Sequence, residues 1–129
     1  MTFDPNCFIA LSREFSEDDK SEAEYRTAIN RAYYGIFLLA REELSSREQP
    51  VKTGHSDEHS KVRECFRKKP FRNDTVAHRL GSLYGDRAKA DYNLEVTIGH
   101  PELKQSLEYV DYIIKAFHES LFNRPPHTA

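Results

Sequence analysis

Ser21-Glu-Ala-Glu24-Tyr25-Arg26-Thr-Ala28-Ile29-Asn-Arg31-Ala32-Tyr33-Tyr34-Gly35-Ile36-Phe37-Leu-Leu-Ala40 is the stretch whose reading decides the fold. Its first four residues spell a capping box: the serine oxygen and the glutamate each satisfy a backbone donor that a helix start leaves unpaired. Beyond it, Tyr25, Ala28, Ile29, Ala32, Tyr33, Ile36, Phe37 and Ala40 recur at steps of three and four. That period belongs to a helix with one apolar stripe, and the spacing carries it to about residue 46. Gly35 costs a helix interior about 1 kcal/mol relative to alanine, so its use there points to close approach of a neighbouring helix.

On the N-terminal side, Asp4-Pro5 reads as a cap followed by proline at the first helical position. Phe8, Leu11 and Phe15 give a short amphipathic helix, which the acidic stretch from Ser16 to Lys20 ends. On the C-terminal side, Pro50 and Gly54 mark a loop. Ser56-Asp57-Glu58 opens a third helix with Val62, Cys65 and Phe66, and Pro70 stops it. Asn73 or Asp74 caps a fourth helix carrying Val76, Leu80, Leu83, Tyr84, Arg87 and Ala88 along one side. An extended connector from Tyr92 to Thr97 and a Gly99-His100-Pro101 turn lead into the last helix. There Leu103, Leu107, Val110, Ile114, Phe117 and Leu121 alternate steps of four and three, a bundle seam. No segment alternates with the period of two that a half-buried strand needs. The expectation is an all-α antiparallel up-down bundle of four main helices plus a short N-terminal one. It forms a single domain over residues 1–122, with a loose tail over 123–129.

Composition narrows the function. The 129 residues hold 19 Lys and Arg against 21 Asp and Glu, a net charge of −2, which argues against a wholly basic nucleic-acid coat but leaves room for a local patch. Eight Phe, seven Tyr and 31% charged residues suit a folded domain with a wet surface rather than a disordered chain. The longest apolar run, Ala32 to Ala40, falls well short of the roughly 20 residues a bilayer requires. The N-terminus lacks the basic start and apolar core of a signal peptide. Cys7 and Cys65 match no metal spacing and no disulfide scaffold, and read as small buried hydrophobes. These features predict a cytoplasmic protein with no membrane partner and no cofactor.

Three patterns carry chemistry. His55-Ser-Asp-Glu58-His59 matches the inverted zinc-protease order of His, two residues, Glu, His. It lacks a third ligand and straddles a loop-to-helix junction, where Asp57 and Glu58 suit the helix dipole instead, so no metal site is assigned. From Lys61 to Arg79 the chain has seven basic residues against Glu64 and Asp74. Lys61, Arg67, Lys68, Lys69, Asn73 and Arg79 are the candidate phosphate contacts, since an RNA or nucleotide ligand needs cations on one side; the same charges also suit a solvated face. Within this stretch, Arg72 and His78 have a spacing that suits phosphodiester chemistry. The arginine can hold a phosphate through two parallel hydrogen bonds, and the histidine can move a proton. The third pattern is Arg87-Ala-Lys89-Ala-Asp91-Tyr92. Arg87 and Asp91 stand one helical turn apart, and Tyr92 can stack on a base. The alternative is a buried Arg–Asp staple at a helix end.

Two of these stretches together are similar to signatures of small prokaryotic HEPN-domain proteins. Arg31-Ala32-Tyr33-Tyr34-Gly35-Ile36-Phe37 resembles the Arg-Ala-Tyr-Tyr-x-x-Phe element, and Arg87 to Tyr92 resembles Arg-x-x-Ala-Asp-Tyr. His59 stands where the subgroup often has a histidine opening its third helix. The likeness covers about residues 21–120. It implies an up-down bundle, usually a homodimer, within a superfamily that includes metal-independent RNases of toxin–antitoxin and defence systems. Their signature is an arginine, four to six residues, then histidine, with two copies forming one cleft. Arg87 is the positional counterpart of that arginine, and Asp91-Tyr92 replaces the histidine, a departure the subgroup shares. Arg72-Asn73 with His78 satisfies the spacing about one helix earlier. The resemblance therefore implies an RNA- or nucleotide-binding homodimer. In a cleaving version Arg87 or Arg72 stabilises the pentavalent phosphate, His78 serves as acid or base, and Asp91 and Tyr92 orient the arginine and ribose. In a non-catalytic version the chain is a module that docks on a small nucleotidyltransferase.

Overall fold

Ser21 starts the longest helix in the way its sequence requires. Its Oγ accepts from the Glu24 backbone at 3.1 Å, and Glu24 Oε1 accepts from the Ser21 backbone at 2.9 Å. The computed structural model describes residues 3–119. Within them lie five helices and no strand: α1 (Asn6–Arg13), α2 (Glu22–Ser46), α3 (Glu58–Arg67), α4 (Asp74–Tyr92) and α5 (His100–Phe117). Asn73 caps α4 by accepting from the Val76 backbone at 3.0 Å. Glu102 accepts from the Gly99 N–H at 2.7 Å and so starts α5. Asp4 Oδ1 takes the Asn6 N–H at 2.9 Å, which places the start of α1 one residue beyond Pro5. Leu121 of the expected seam and the expected tail lie outside the described residues.

The helices form a bundle around α2, which packs against each of the other four. Ala28, Ala32, Ile36, Phe37, Ala40 and Leu44 of α2 are buried, with Val62 and Phe66 of α3, Val76, Leu80 and Leu83 of α4, and Leu103, Val110 and Ile113 of α5. Gly35 does what its position demands. A Cβ there would stand 2.6 Å from Ile9 Cγ1, so α1 lies on α2 only because that position has no side chain.

Three expectations about faces need correction. In α1 the buried residues are Ile9 and Ser12, whereas Phe8 is half-buried, Leu11 is exposed and Phe15 lies past the helix end. Ile9 fills the notch at Gly35, and Ser12 Oγ donates to the Ala28 carbonyl at 2.8 Å, which together fix the turn of α1. In α5, Ile113 is buried while Ile114 and Phe117 are only partly so. Ser106 is buried and donates to Asp86 Oδ2 of α4 at 3.2 Å. Ile113 shares the side of Ser106, about 20° away round the helix, and so follows it inward. Cys7 is exposed and Cys65 half-buried, so the small-hydrophobe reading fails for Cys7, which α1 presents to solvent.

Among the described residues no helix is long and apolar enough to cross a membrane.

Candidate functional site

The C-terminal half of α4 meets α2 and α3 in a cluster of rings and guanidinium groups. Arg87 and Asp91 pair as their spacing predicts, Nη1 to Oδ2 at 3.2 Å. Asp91 is held from α2 by Asn30, whose amide donates to both carboxylate oxygens at 3.0 and 3.3 Å. The Arg87 side chain is 11% exposed. Its guanidinium carbon lies 5.1 Å from the Tyr84 ring centre and 5.8 Å from those of Tyr34 and Tyr92. Burial disfavours its charge, but Tyr34 and Asp91 outweigh burial and raise its pKa, so the group stays a fixed cation. Its Nε is buried with no hydrogen-bond partner. Tyr92, by contrast, is 76% exposed and borders an open groove of about 530 Å³ lined also by Ala88, Lys89, Asn93, Leu94 and Glu95.

Two residues that sequence reasoning did not place in the site belong to this cluster. Arg63, counted with the basic stretch, turns inward from α3, with its guanidinium carbon 5.1 Å from the Tyr84 ring centre. His59 stacks on Phe37 at 4.3 Å and on Tyr33 at 5.6 Å, with Tyr84 at 5.1 Å. Its Nδ1 is hydrogen-bonded to the Tyr33 hydroxyl. Burial pushes the Tyr33 phenol far up, so it stays protonated and acts as the donor. That leaves the ring proton of neutral His59 on Nε2, an assignment made from the chemistry of the pair. Burial, then Arg87 and Arg63, lower the His59 pKa against the opposing pull of Glu58. The sequence signals for His59 are its place at the start of α3 and its part in the His55–His59 pattern; Arg63 stands out only as one of seven basic residues in its stretch.

The remaining candidates lie elsewhere. Arg72 sits in the turn before α4 with φ of 44°, and His78 is exposed in that helix's second turn. His78 and Arg87 are nine residues apart on one helix, which sets them about 13 Å apart along the axis and on opposite faces. Lys61, Lys68 and Lys69 are exposed, while Arg67 is paired with Glu64. Asn73 is used as the α4 cap, and Arg79 lies over the Tyr112 ring at 4.2 Å. Glu58 of the histidine pattern accepts from Arg41 at 2.8 Å and from the Gly54 and Thr53 backbones at 2.8 and 3.0 Å. It closes the loop before α3, and Arg41 with those N–H groups holds its carboxyl below the usual range. Among the described residues no three His, Cys, Asp or Glu side chains gather as metal ligands.

The cluster thus offers a fixed cation with an unused donor, a neutral imidazole N–H and an exposed ring. Comparison of the chain with family models, curated proteins and solved structures finds no match.

Proposed function

We propose that this chain is an RNA- or nucleotide-binding protein of the HEPN type, an up-down bundle working as a homodimer, which takes a phosphate group at Arg87. The observation that carries the reading is the state of that arginine. A guanidinium has five N–H donors, and here one carboxylate oxygen is their hydrogen-bond acceptor while Nε is buried without any. A buried charged donor left unmade is costly, and a phosphate oxygen is the acceptor whose charge and fork geometry suit it. Tyr92 projects beside it and gives a base a face to stack on.

Binding fits this arrangement better than cleavage within one copy. His78 stands on the far face of α4, and the nearer His59 presents a donor rather than a free lone pair. Its Nε2–H can bond a phosphate oxygen but cannot take the proton of a ribose hydroxyl. The second reading, a non-catalytic module docking on a nucleotidyltransferase, is favoured by the exposure of Tyr92 and of Leu94 at 87%, two apolar side chains left uncovered side by side.

Fluorescence anisotropy with a labelled single-stranded RNA tests the proposal. Arg87→Ala should weaken binding tenfold to a hundredfold, the equivalent of about 1.5–3 kcal/mol for a hydrogen bond to a charged group. Affinity should fall steeply with salt as counterions compete. Absence of binding by the unaltered protein at low salt would leave partner docking as the better account.

A further inference from the structure

Tyr84 has an arginine from each of two helices against its ring. The guanidinium carbons of Arg63 (α3) and Arg87 (α4) both lie 5.1 Å from the ring centre and so are at most twice that distance apart. The His59 ring centre also lies 5.1 Å from that of Tyr84, so both guanidinium groups stand near one imidazole, whose pKa they lower. Asp91 is the carboxylate that pairs with Arg87. Among the described residues none lies within ion-pair distance of Arg63, and Glu58 is taken up by Arg41 and its own loop. Two fixed positive charges therefore face one negative charge. Nη1 of Arg63 and Nε of Arg87 are both buried without a partner. The Arg63 stem passes over Gly81 of α4, with Cδ 3.5 Å from where a Cβ would stand there, an ordinary van der Waals distance.

We infer that Arg63 and Arg87 together clamp a single phosphodiester of a single-stranded RNA beside Tyr84. The inference rests on the phosphate-binding reading above and adds a second binding residue and a ligand class. Two charge-assisted bonds of about 2.8 Å to one phosphate require the guanidinium groups to share a gap, and their common place against Tyr84 keeps their carbons within twice 5.1 Å of each other. The surplus is one positive charge, which an internal diester neutralises. A terminal monoester carries more negative charge than that, about −1.5 to −2 near neutrality. The His59 Nε2–H lies in the same cluster as a third, uncharged donor. Cation–π attraction to the Tyr84 ring offsets part of the repulsion between the two cations.

Binding of a hexauridylate with hydroxyl groups at both ends, set against 5′-UMP, tests this in four proteins: unaltered, Arg63→Gln, Arg87→Gln and the double variant. Each single change should weaken hexauridylate binding at least tenfold while the melting temperature stays within a few degrees. The double variant should lose little more than either single one, because one shared phosphate is lost only once. Arg63→Lys should restore only part of the affinity, since an ammonium replaces the charge but not the fork. If Arg63→Gln binds like the unaltered protein while Arg87→Gln fails, the clamp is wrong and the function proposed for Arg87 stands. If the two losses multiply in the double variant, the arginines hold separate groups and the shared phosphate is wrong. Tighter binding of 5′-UMP than of hexauridylate overturns the diester. No binding of either probe by the unaltered protein overturns clamp and function together.

Discussion

Arg26 and Arg87 both serve the last turns of α4, and they are used in opposite ways. Arg26 reaches across from α2. Its Nη1 donates to the carbonyls of Lys89, Ala90 and Asn93, and its Nη2 to that of Val96, at 2.7–3.2 Å. Its Nε and Nη2 also bond Glu22 Oε2, which in turn accepts from the Ile98 backbone. This one guanidinium closes the carbonyl end of α4 and ties down the connector to α5, where a helix otherwise leaves acceptors unpaired. Arg87 lies within that helix, is more deeply covered, and has one hydrogen-bonded partner. Both arginines are largely covered and differ in how many of their donors are satisfied, and it is that difference, not burial, on which the binding role proposed for Arg87 rests.

That contrast is easiest to break by stability. Arg26→Ala should cost about 2–3 kcal/mol, because several carbonyls lose a charged donor at once. Arg87→Ala should cost below about 1 kcal/mol, since Asp91 keeps Asn30 and an unpaired buried donor disappears with the side chain. Urea denaturation with an unchanged m-value measures both. Equal losses would erase the distinction between the two regions.

A smaller effect sharpens it. His59 is held neutral by burial and by Arg87 and Arg63, so its folded pKa lies below its unfolded one. On acidification the unfolded chain takes the proton first. Stability should therefore fall as pH drops below about 6.5, the ordinary histidine value, and the penalty should level off below the folded pKa. Removing either neighbouring cation should move the His59 pKa up, whereas Arg26→Ala should leave it in place. Proton NMR of the imidazole reads this directly; an unchanged pKa in Arg87→Ala would mean that the two groups do not face each other.

Local signals in the chain announce local structure here. The Ser21–Glu24 box, the Asn73 cap, the Gly35 notch and the Arg87–Asp91 pair each depend on residues within a turn or on one missing side chain, and all four stand as read. What went astray depends on how helices are rotated against one another. Ile9 replaced Leu11 and Ile113 replaced Ile114 because Gly35 and Ser106 set rotations that a stripe of apolar residues leaves loose by one position. The same holds for the site. Arg63 is one of seven basic residues in its stretch, and its neighbours in sequence do not reveal that it alone turns toward Tyr84. Arg26 carries no mark of its four carbonyls, which come from residues more than sixty positions away.

On the proposed function, Arg87 keeps a donor in reserve for a phosphate while Arg26 keeps none. A spectrum of the arginine Nε–H groups, followed while hexauridylate is added, tests it most directly. The Arg87 signal should shift downfield and gain protection from exchange in step with binding, and the Arg26 signal should not move. An Arg87 signal that stays in place while the RNA binds elsewhere would contradict the claim.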